Sequence, residues 1–443
     1  MRWIRHLSAE LDETAEVLGG KAHGLVVLHR LGLPVPAGFV VTTEACRAFL
    51  RDGRLPGGLD EELAAAITGF DVVSVRSGAA VSMPGMMNTI LNLELTSAAA
   101  ARTAVEAVFS SWNTPRARTY RELHDIPHDL GTAAIVQTMV FGNRDDHSGT
   151  GVAFSRDPNR GANVPFGEVL FGQQGDDVVS GSSPTLPLRD LADREPVVWA
   201  GLLDALSRVE AHYRDACYVE FTFQSGELWL LQVRPGGFAG AAAVRVAADL
   251  ADEGVIDRHE ALLRISPHHL RHVRTPRIAP GEDVVARGLG ACPGVATGRV
   301  ATTADTAVRM AVDGPVVLVR QETSPHDMRG LAAATGILTA RGGPASHAAV
   351  VARAMGKPAV VGVADLVVAD ASAVVGGRTI SEGTLVTIDG TSGEVVLGSP
   401  RVVTTTADEP LRRLLRWADD VSGDHSERDE ADRLSAAHAV LRR

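Results

Sequence analysis

The sequence predicts an α/β protein of several domains. Three observations carry that expectation. Over residues 1–235, short β-rich apolar runs alternate with stretches of helical periodicity, and the alternation returns from Gly288. Between them, residues 237–279 lose the β pattern and become Ala-rich and helical. The length of 443 residues suits about three compact units, at roughly 150 residues each.

The first unit is placed at 1–235. Phe39–Thr42, Val72–Val75, Ala134–Gln137 and Leu228–Leu231 read as strands, and Glu16–Leu31 and Ala98–Trp112 as helices. Gly-rich breaks at 142–151 and 172–181 mark loops. The pattern suits two α/β lobes with a nucleotide-sized cleft. A helical linker follows at 236–285, with helices over Ala241–Leu250 and Ile256–Ile265. His268, His269 and His272 stand at near-helical spacing, but no carboxylate or cysteine joins them at ligand spacing. They read as a solvated helix end. The next unit, 286–400, is β/α again. Its strands are Val316–Val319, Gly336–Thr339, Ala359–Val361 and Leu385–Ile388, and a hairpin turn at Asp389–Gly393 precedes Glu394–Leu397. In the tail, 401–443, two amphipathic helices flank Ser422-Gly423-Asp424.

Composition narrows the function classes. Hydrophobic residues at 45% and charged residues at 22% describe a globular chain. The net charge of −11 argues against a nucleic-acid surface, yet permits a phosphate site built from local cations. Cys46, Cys217 and Cys292 form neither a zinc spacing nor an even disulfide set, which fits a reducing compartment. The first residues carry no apolar core of signal-peptide length, and no apolar run spans a bilayer. The expected setting is cytoplasmic, without membrane.

The most pointed feature is His347. It follows Gly342-Gly343-Pro344-Ala345-Ser346 and precedes a helical run from Ala348 to Met355. The glycines and proline make a turn, and Ser346 can cap the helix. His347 then sits in the first helical turn, beside unpaired N–H groups and the positive end of the dipole. That setting disfavours a protonated imidazole and favours a bound phosphate. A neutral imidazole beside an anion is what a phosphate-accepting nucleophile requires.

The run from Thr339 to Arg353 resembles the phosphohistidine signature of the pyruvate phosphate dikinase and phosphoenolpyruvate synthase family. The resemblance extends in order through Leu18-Gly19-Gly20-Lys21, Val73-Ser74-Val75-Arg76-Ser77-Gly78, Ser111-Trp112-Asn113-Thr114-Pro115-Arg116 and Val136-Gln137-Thr138-Met139. It continues through Ser148-Gly149-Thr150-Gly151, Val219-Glu220-Phe221-Thr222, Leu231-Gln232-Val233-Arg234 and Arg320-Gln321-Glu322-Thr323-Ser324-Pro325. It covers about Gly19 to about Val396. It implies an ATP-grasp-like first domain and a swivelling phosphohistidine domain over 286–400. Full-length dikinases continue into a pyruvate-binding β/α barrel, for which this sequence leaves no room after about Trp417.

The residues themselves support an ATP site. Lys21 follows two glycines at a helix start, a suitable phosphate contact. Arg76 ends an apolar strand, where its charge calls for an anion. Glu220 and Gln232 lie on strands joined by the turn Gln224-Ser225-Gly226, so their side chains can converge as hard ligands for Mg²⁺. Arg234 shares the strand face of Gln232. The resemblance assigns nucleotide or metal roles to these positions, and Asp176 stands where the family commonly has glutamate. One departure is chemical: Tyr218 replaces a family aspartate, removing an expected metal-binding carboxylate. The sequence thus points to an ATP-dependent phosphotransferase that forms AMP and phosphohistidine. Phosphate or water is its second acceptor, and the final acceptor is bound elsewhere, for example on a separate protein. The rival expectation is a catalytically impaired nucleotide-binding module that regulates or docks on a partner.

Overall fold

The computed structural model describes residues 2–442 apart from 82, 84, 85, 175–184, 239, 272, 275, 344, 345 and 405–408. It is α/β and multi-domain, and the sequence expectation for fold class holds. The first part contains two five-stranded antiparallel sheets. One runs Ile4–His6, Gly38–Val41, Ala133–Thr138, Val72–Gly78, Thr89–Glu94 in spatial order. The other runs Glu227–Pro235, Cys217–Gln224, Gly149–Phe154, Phe166–Phe171, Leu186–Pro187.

Strand alternation explains how the first sheet is buried on both faces. Phe39, Val41, Val73, Val75 and Val136 share a core with helices Thr43–Asp52, Leu59–Ala66 and Ala98–Ser111. Val40 and Ile135, on the opposite face, join a second core with helices Gly20–Arg30 and Pro196–Tyr213. Helix Ala98–Ser111 shows the local logic. Ser97 accepts from the Ala100 N–H at its start, and Ala101, Ala104, Val105, Val108 and Phe109 form one buried stripe.

The later β/α part is built on an eight-stranded sheet. Four adjacent strands, Val295–Ala301, Val316–Arg320, Gly336–Thr339 and Ala359–Val361, are parallel. Helices Ala304–Ala311, Met328–Ala333 and His347–Met355 make the crossovers between them, as parallel pairing demands. His347 therefore lies where a strand has just ended and a helix begins.

The linker and the tail, separate in sequence, share one core. Helices Gly240–Asp252, Arg258–Arg264, Glu409–Ser422 and Glu430–Leu441 bury Val244, Leu250, Leu262, Leu411, Leu415 and Leu434 together. Short strands Pro276–Ile278 and Val402–Thr404 pair with each other. The physical reason is that short amphipathic helices are marginal until their apolar stripes meet. No described helix is long and apolar enough to cross a membrane. The histidines of the linker form no metal site among the described residues: His269 Nδ1 accepts the Ser266 N–H at 3.0 Å, and His272 lies outside them.

Arg156 ties the linker to the second sheet. Its fully buried guanidinium reaches Glu210 and Glu253, each at 2.6 Å. Arg156→Met leaves two carboxylates without their shared cation, and the expected loss is about 3 kcal/mol. Thermal unfolding should show a drop of several degrees, whereas an unchanged transition would remove this tie from the account.

Candidate active site

The two sheets of the first part and the helix that follows His347 enclose a cavity of about 1040 Å³. Lys21, Arg76, Glu220 and Arg234 all line it. Gly19 explains how Lys21 gets there. Its φ is +77°, and a Cβ on it would lie 1.7 Å from the Gly78 carbonyl oxygen. Only glycine permits this approach, which lets the Gly20 N–H bond the Ala79 carbonyl at 2.9 Å and brings the helix start beside the strand bearing Arg76.

Arg76 is buried, its Nη2 donating to Gln137 Oε1 and, at 3.2 Å, to the Leu231 carbonyl. Its Nε has no partner among the described residues. Desolvation lowers its pKa, while Glu220 acts in the opposite sense. Lys21 is pushed down to about 7, first by burial and then by the Arg76 charge. Its remaining exposure is to the cavity, so its charge there depends on what the cavity holds.

Glu220 and Gln232 face each other in register across the hairpin, and Tyr218 faces Arg234. Gln232 is 1% exposed, and neither its Oε1 nor its Nε2 has a partner among the described residues. A buried amide left unsatisfied beside a carboxylate is a suitable cation ligand, so these two residues fit Mg²⁺ by chemistry. Gln232 itself is not among the cavity-lining residues. The Tyr218 hydroxyl donates to Glu220 Oε1 at 3.1 Å, which engages one carboxylate oxygen. Burial, together with the Glu220 charge, raises the pKa of that phenol and keeps it neutral. Asp215 does not replace the missing carboxylate: it accepts the Ala216 N–H at 2.8 Å and pairs with Arg264 at 3.5 Å. Asp176 lies outside the described residues.

His347 is the first residue of its helix, and Ser346 caps that helix by accepting the Ala349 N–H at 3.4 Å. Gly342, at φ +98°, leaves room for the cap, because a Cβ there would meet Ser346 at 2.7 Å. His347 is 7% exposed. Its Nδ1 meets Thr323 Oγ1 at 3.1 Å, while Nε2 has no partner among the described residues. Burial lowers its pKa to about 4 against the opposing pull of Asp327, so the ring is neutral at physiological pH. His347 does not itself line the cavity, but Val350 and Arg353, one and two turns further along, do.

Three contributors carried no individual role in the sequence reading. Thr323 holds the imidazole, although it sits within a quoted motif. Glu168, on strand Phe166–Phe171, is 2% exposed and accepts from Thr185 Oγ1 at 2.7 Å. A Cβ on Gly343 would lie 1.5 Å from the Glu168 carboxylate, so this glycine lets the histidine loop settle against the second sheet. Arg353 is the third. None has a local signal, because each role arises from packing between distant segments.

Comparisons with known proteins match both parts of the chain. Residues 15–72 and 58–198 match the family "Pyruvate phosphate dikinase, AMP/ATP-binding domain". Residues 312–393 match "PEP-utilising enzyme, mobile domain". The chain is 35% identical to pyruvate, phosphate dikinase 2 of Oryza sativa subsp. japonica, over 92% of this chain and 58% of that protein. It is 34% identical to pyruvate, phosphate dikinase of Clostridium symbiosum, over 94% and 60%. It thus spans somewhat more than half the length of these relatives. A D-alanyl-alanine synthetase A from Vibrio cholerae overlaps at 12% identity and a TM-score of 0.31, over 56% of this chain and 63% of that one, a likeness too slight to bear on the fold. Its sequence and its two matched segments place the chain in the pyruvate phosphate dikinase and phosphoenolpyruvate synthase family.

Proposed function

We propose that this chain is an ATP-dependent phosphotransferase of the dikinase kind, working from the cytoplasm on an ATP-grasp-like first domain. ATP lies in the cavity with its phosphates toward Lys21, Arg76 and Arg234; Asp176, outside the described residues, is the remaining candidate for nucleotide binding. His347 takes the phosphoryl group. The observation that carries this reading is its Nε2: buried, unpartnered among the described residues, and mounted on the helix whose flank walls the cavity.

The chain's own residues prepare the attack. In the tautomer with Nδ1–H donating to Thr323, the Nε2 lone pair is free. Burial keeps the ring neutral, so no proton has to leave Nε2 first. Nε2 bonds to the β-phosphorus, and the bond from that phosphorus to the oxygen bridging the α-phosphate breaks. AMP departs with the bonding pair, and His347 carries a diphosphoryl group. Inorganic phosphate or water then takes the terminal phosphoryl, giving diphosphate or phosphate. The phosphohistidine that remains passes its group to an acceptor bound outside residues 1–443, pyruvate being the family's example. Glu220 and Gln232 would hold Mg²⁺, which when bound would offset phosphate charge. Arg76 and Arg234 supply fixed positive charge where charge shifts in the transition state, and Lys21 supplies a charge it gains as the nucleotide binds.

A second reading draws on Tyr218. With a phenol engaging Glu220, the chain binds nucleotide and performs no transfer, acting as a regulatory or partner-docking module. ATP labelled at the β-phosphate separates the two. The expected result is AMP together with acid-labile label on His347, both lost in His347→Ala. Bound ATP without AMP or label, with AMP formation appearing only in Tyr218→Asp, would establish the second reading instead.

Lys21 gives a pH signature. With a free-state pKa of about 7 and a higher one beside bound phosphates, ATP binding takes up a proton above pH 7. Affinity should therefore fall as pH rises from 7 to 9, by up to about tenfold per unit. Calorimetry in buffers of different ionisation heat measures the uptake. Lys21→Met should abolish it, and a flat profile in the parent would contradict the role given to Lys21.

A further inference from the structure

The cavity is not made by the nucleotide-binding part alone. Cys292, Pro293, Val350 and Arg353 reach its wall from the phosphohistidine domain. Arg353 is the one charged side chain among these four. It lies six residues after His347 on the same helix, about 9 Å along the axis at 1.5 Å per residue. Its Nη1 donates to the Ala291 carbonyl at 3.0 Å, and its guanidinium carbon lies 5.8 Å from the Phe154 ring centroid, across the domain boundary. Burial depresses its pKa, while Cys292, Tyr218 and Glu168 act to raise it. The guanidinium remains charged regardless, as arginine does in proteins.

Charge and position then say what Arg353 is for. Among the described lining residues, Lys21, Arg76, Arg234 and Arg353 are cations and Glu220 is the sole carboxylate. The wall therefore carries an excess of fixed positive charge that a polyphosphate balances. Arg353 joins that wall within electrostatic reach of Tyr218. Tyr218, which pairs in register with Arg234 and bonds Glu220, feels the charges of both Arg234 and Arg353. The side chain at that strand position is a neutral phenol and leaves both guanidinium charges in place. Glu168 is the buried carboxylate within electrostatic reach, and it is seated against Gly343.

We propose that Arg353 is a phosphate-binding residue of the nucleotide site, delivered by the phosphohistidine domain, so that the polyphosphate of the bound nucleotide bridges the two domains and fixes His347 in its attacking position. This deepens the function proposed above and rests on its nucleotide site, although it does not require that transfer occurs. One rigid helix carries both residues, so a ligand gripped by Arg353 sets where His347 can reach. The grip depends on the number of phosphates: a triphosphate holds the domains together, and AMP, with the β- and γ-phosphates gone, holds them less.

The test uses the full chain with α,β-methylene-ATP, whose carbon bridge blocks transfer from the β-phosphorus. Calorimetry gives its affinity and that of AMP for the parent, Arg353→Met and Arg353→Lys. Hydrogen exchange over residues 286–295 and 347–356 reports docking. The expected result is that Arg353→Met weakens the analogue about tenfold or more and leaves AMP binding within about twofold, a charged hydrogen bond having been lost. The analogue should protect both segments in the parent and fail to do so in Arg353→Met, with Arg353→Lys in between. Equal weakening of analogue and AMP, or unchanged binding and protection, would overturn the proposal; the first outcome indicates a merely structural arginine. Failure of the function itself shows differently, as a parent that binds and docks on the analogue yet never acquires label on His347 from ATP.

Discussion

The contact between Gly343 and Glu168 is the constraint on which the site depends. A buried carboxylate on the second sheet occupies the space that any side chain at 343 would need. Because residue 343 has no side chain to claim that space, the loop before His347 can lie against the nucleotide-binding part, and the helix that follows becomes a wall of the cavity. Nearby contacts support the same docking. Asn159 Nδ2 donates to the Gly290 carbonyl at 3.0 Å, and one apolar core runs from Met83, Met86, Trp112 and Tyr120 to Ala348, Ala352 and Cys292. Without this seating, an imidazole at a helix start and a cluster of cations in a cleft would be two unrelated features.

Docking also accounts for the electrostatics. His347 is neutral chiefly because it is buried, and Lys21 titrates near neutrality for the same reason. The first leaves an uncharged nucleophile, and the second is reversed when an anion arrives beside the ammonium. On the proposed function, a polyphosphate would find fixed guanidinium charges already in place, an ammonium that gains a proton as it arrives, and a nucleophile that need not lose one. Preorganised charge of this kind is worth more in a water-poor site than in solvent.

Much of this was legible in the sequence, for local reasons. The cap at Ser346 and the first-turn position of His347 follow from a turn, a hydroxyl and a helical run within a dozen residues. The hairpin that joins the strands of Glu220 and Gln232 follows from a two-residue turn, but their pairing depends on a register shift between Leu230 and Gln232 that the turn does not announce. What was not legible joins distant segments. Glu168 and Gly343 are 175 positions apart, Thr323 reaches His347 from another crossover, and the tail helices find the linker helices only in three dimensions. Arg353 sat in plain view inside the motif, yet helical spacing alone does not say which wall it faces. Tyr218 was visible as a substitution, but its bond to Glu220 needed coordinates.

The central claim is that the free nitrogen of His347 is the nucleophile and that Thr323 holds the other. Nuclear magnetic resonance on the intermediate formed with ATP, using nitrogen-labelled histidine and phosphorus detection, reports which nitrogen carries the group. The expected result is phosphorus bonded to Nε2 of His347. A phosphoryl group on Nδ1, or on any residue other than His347, would contradict the account.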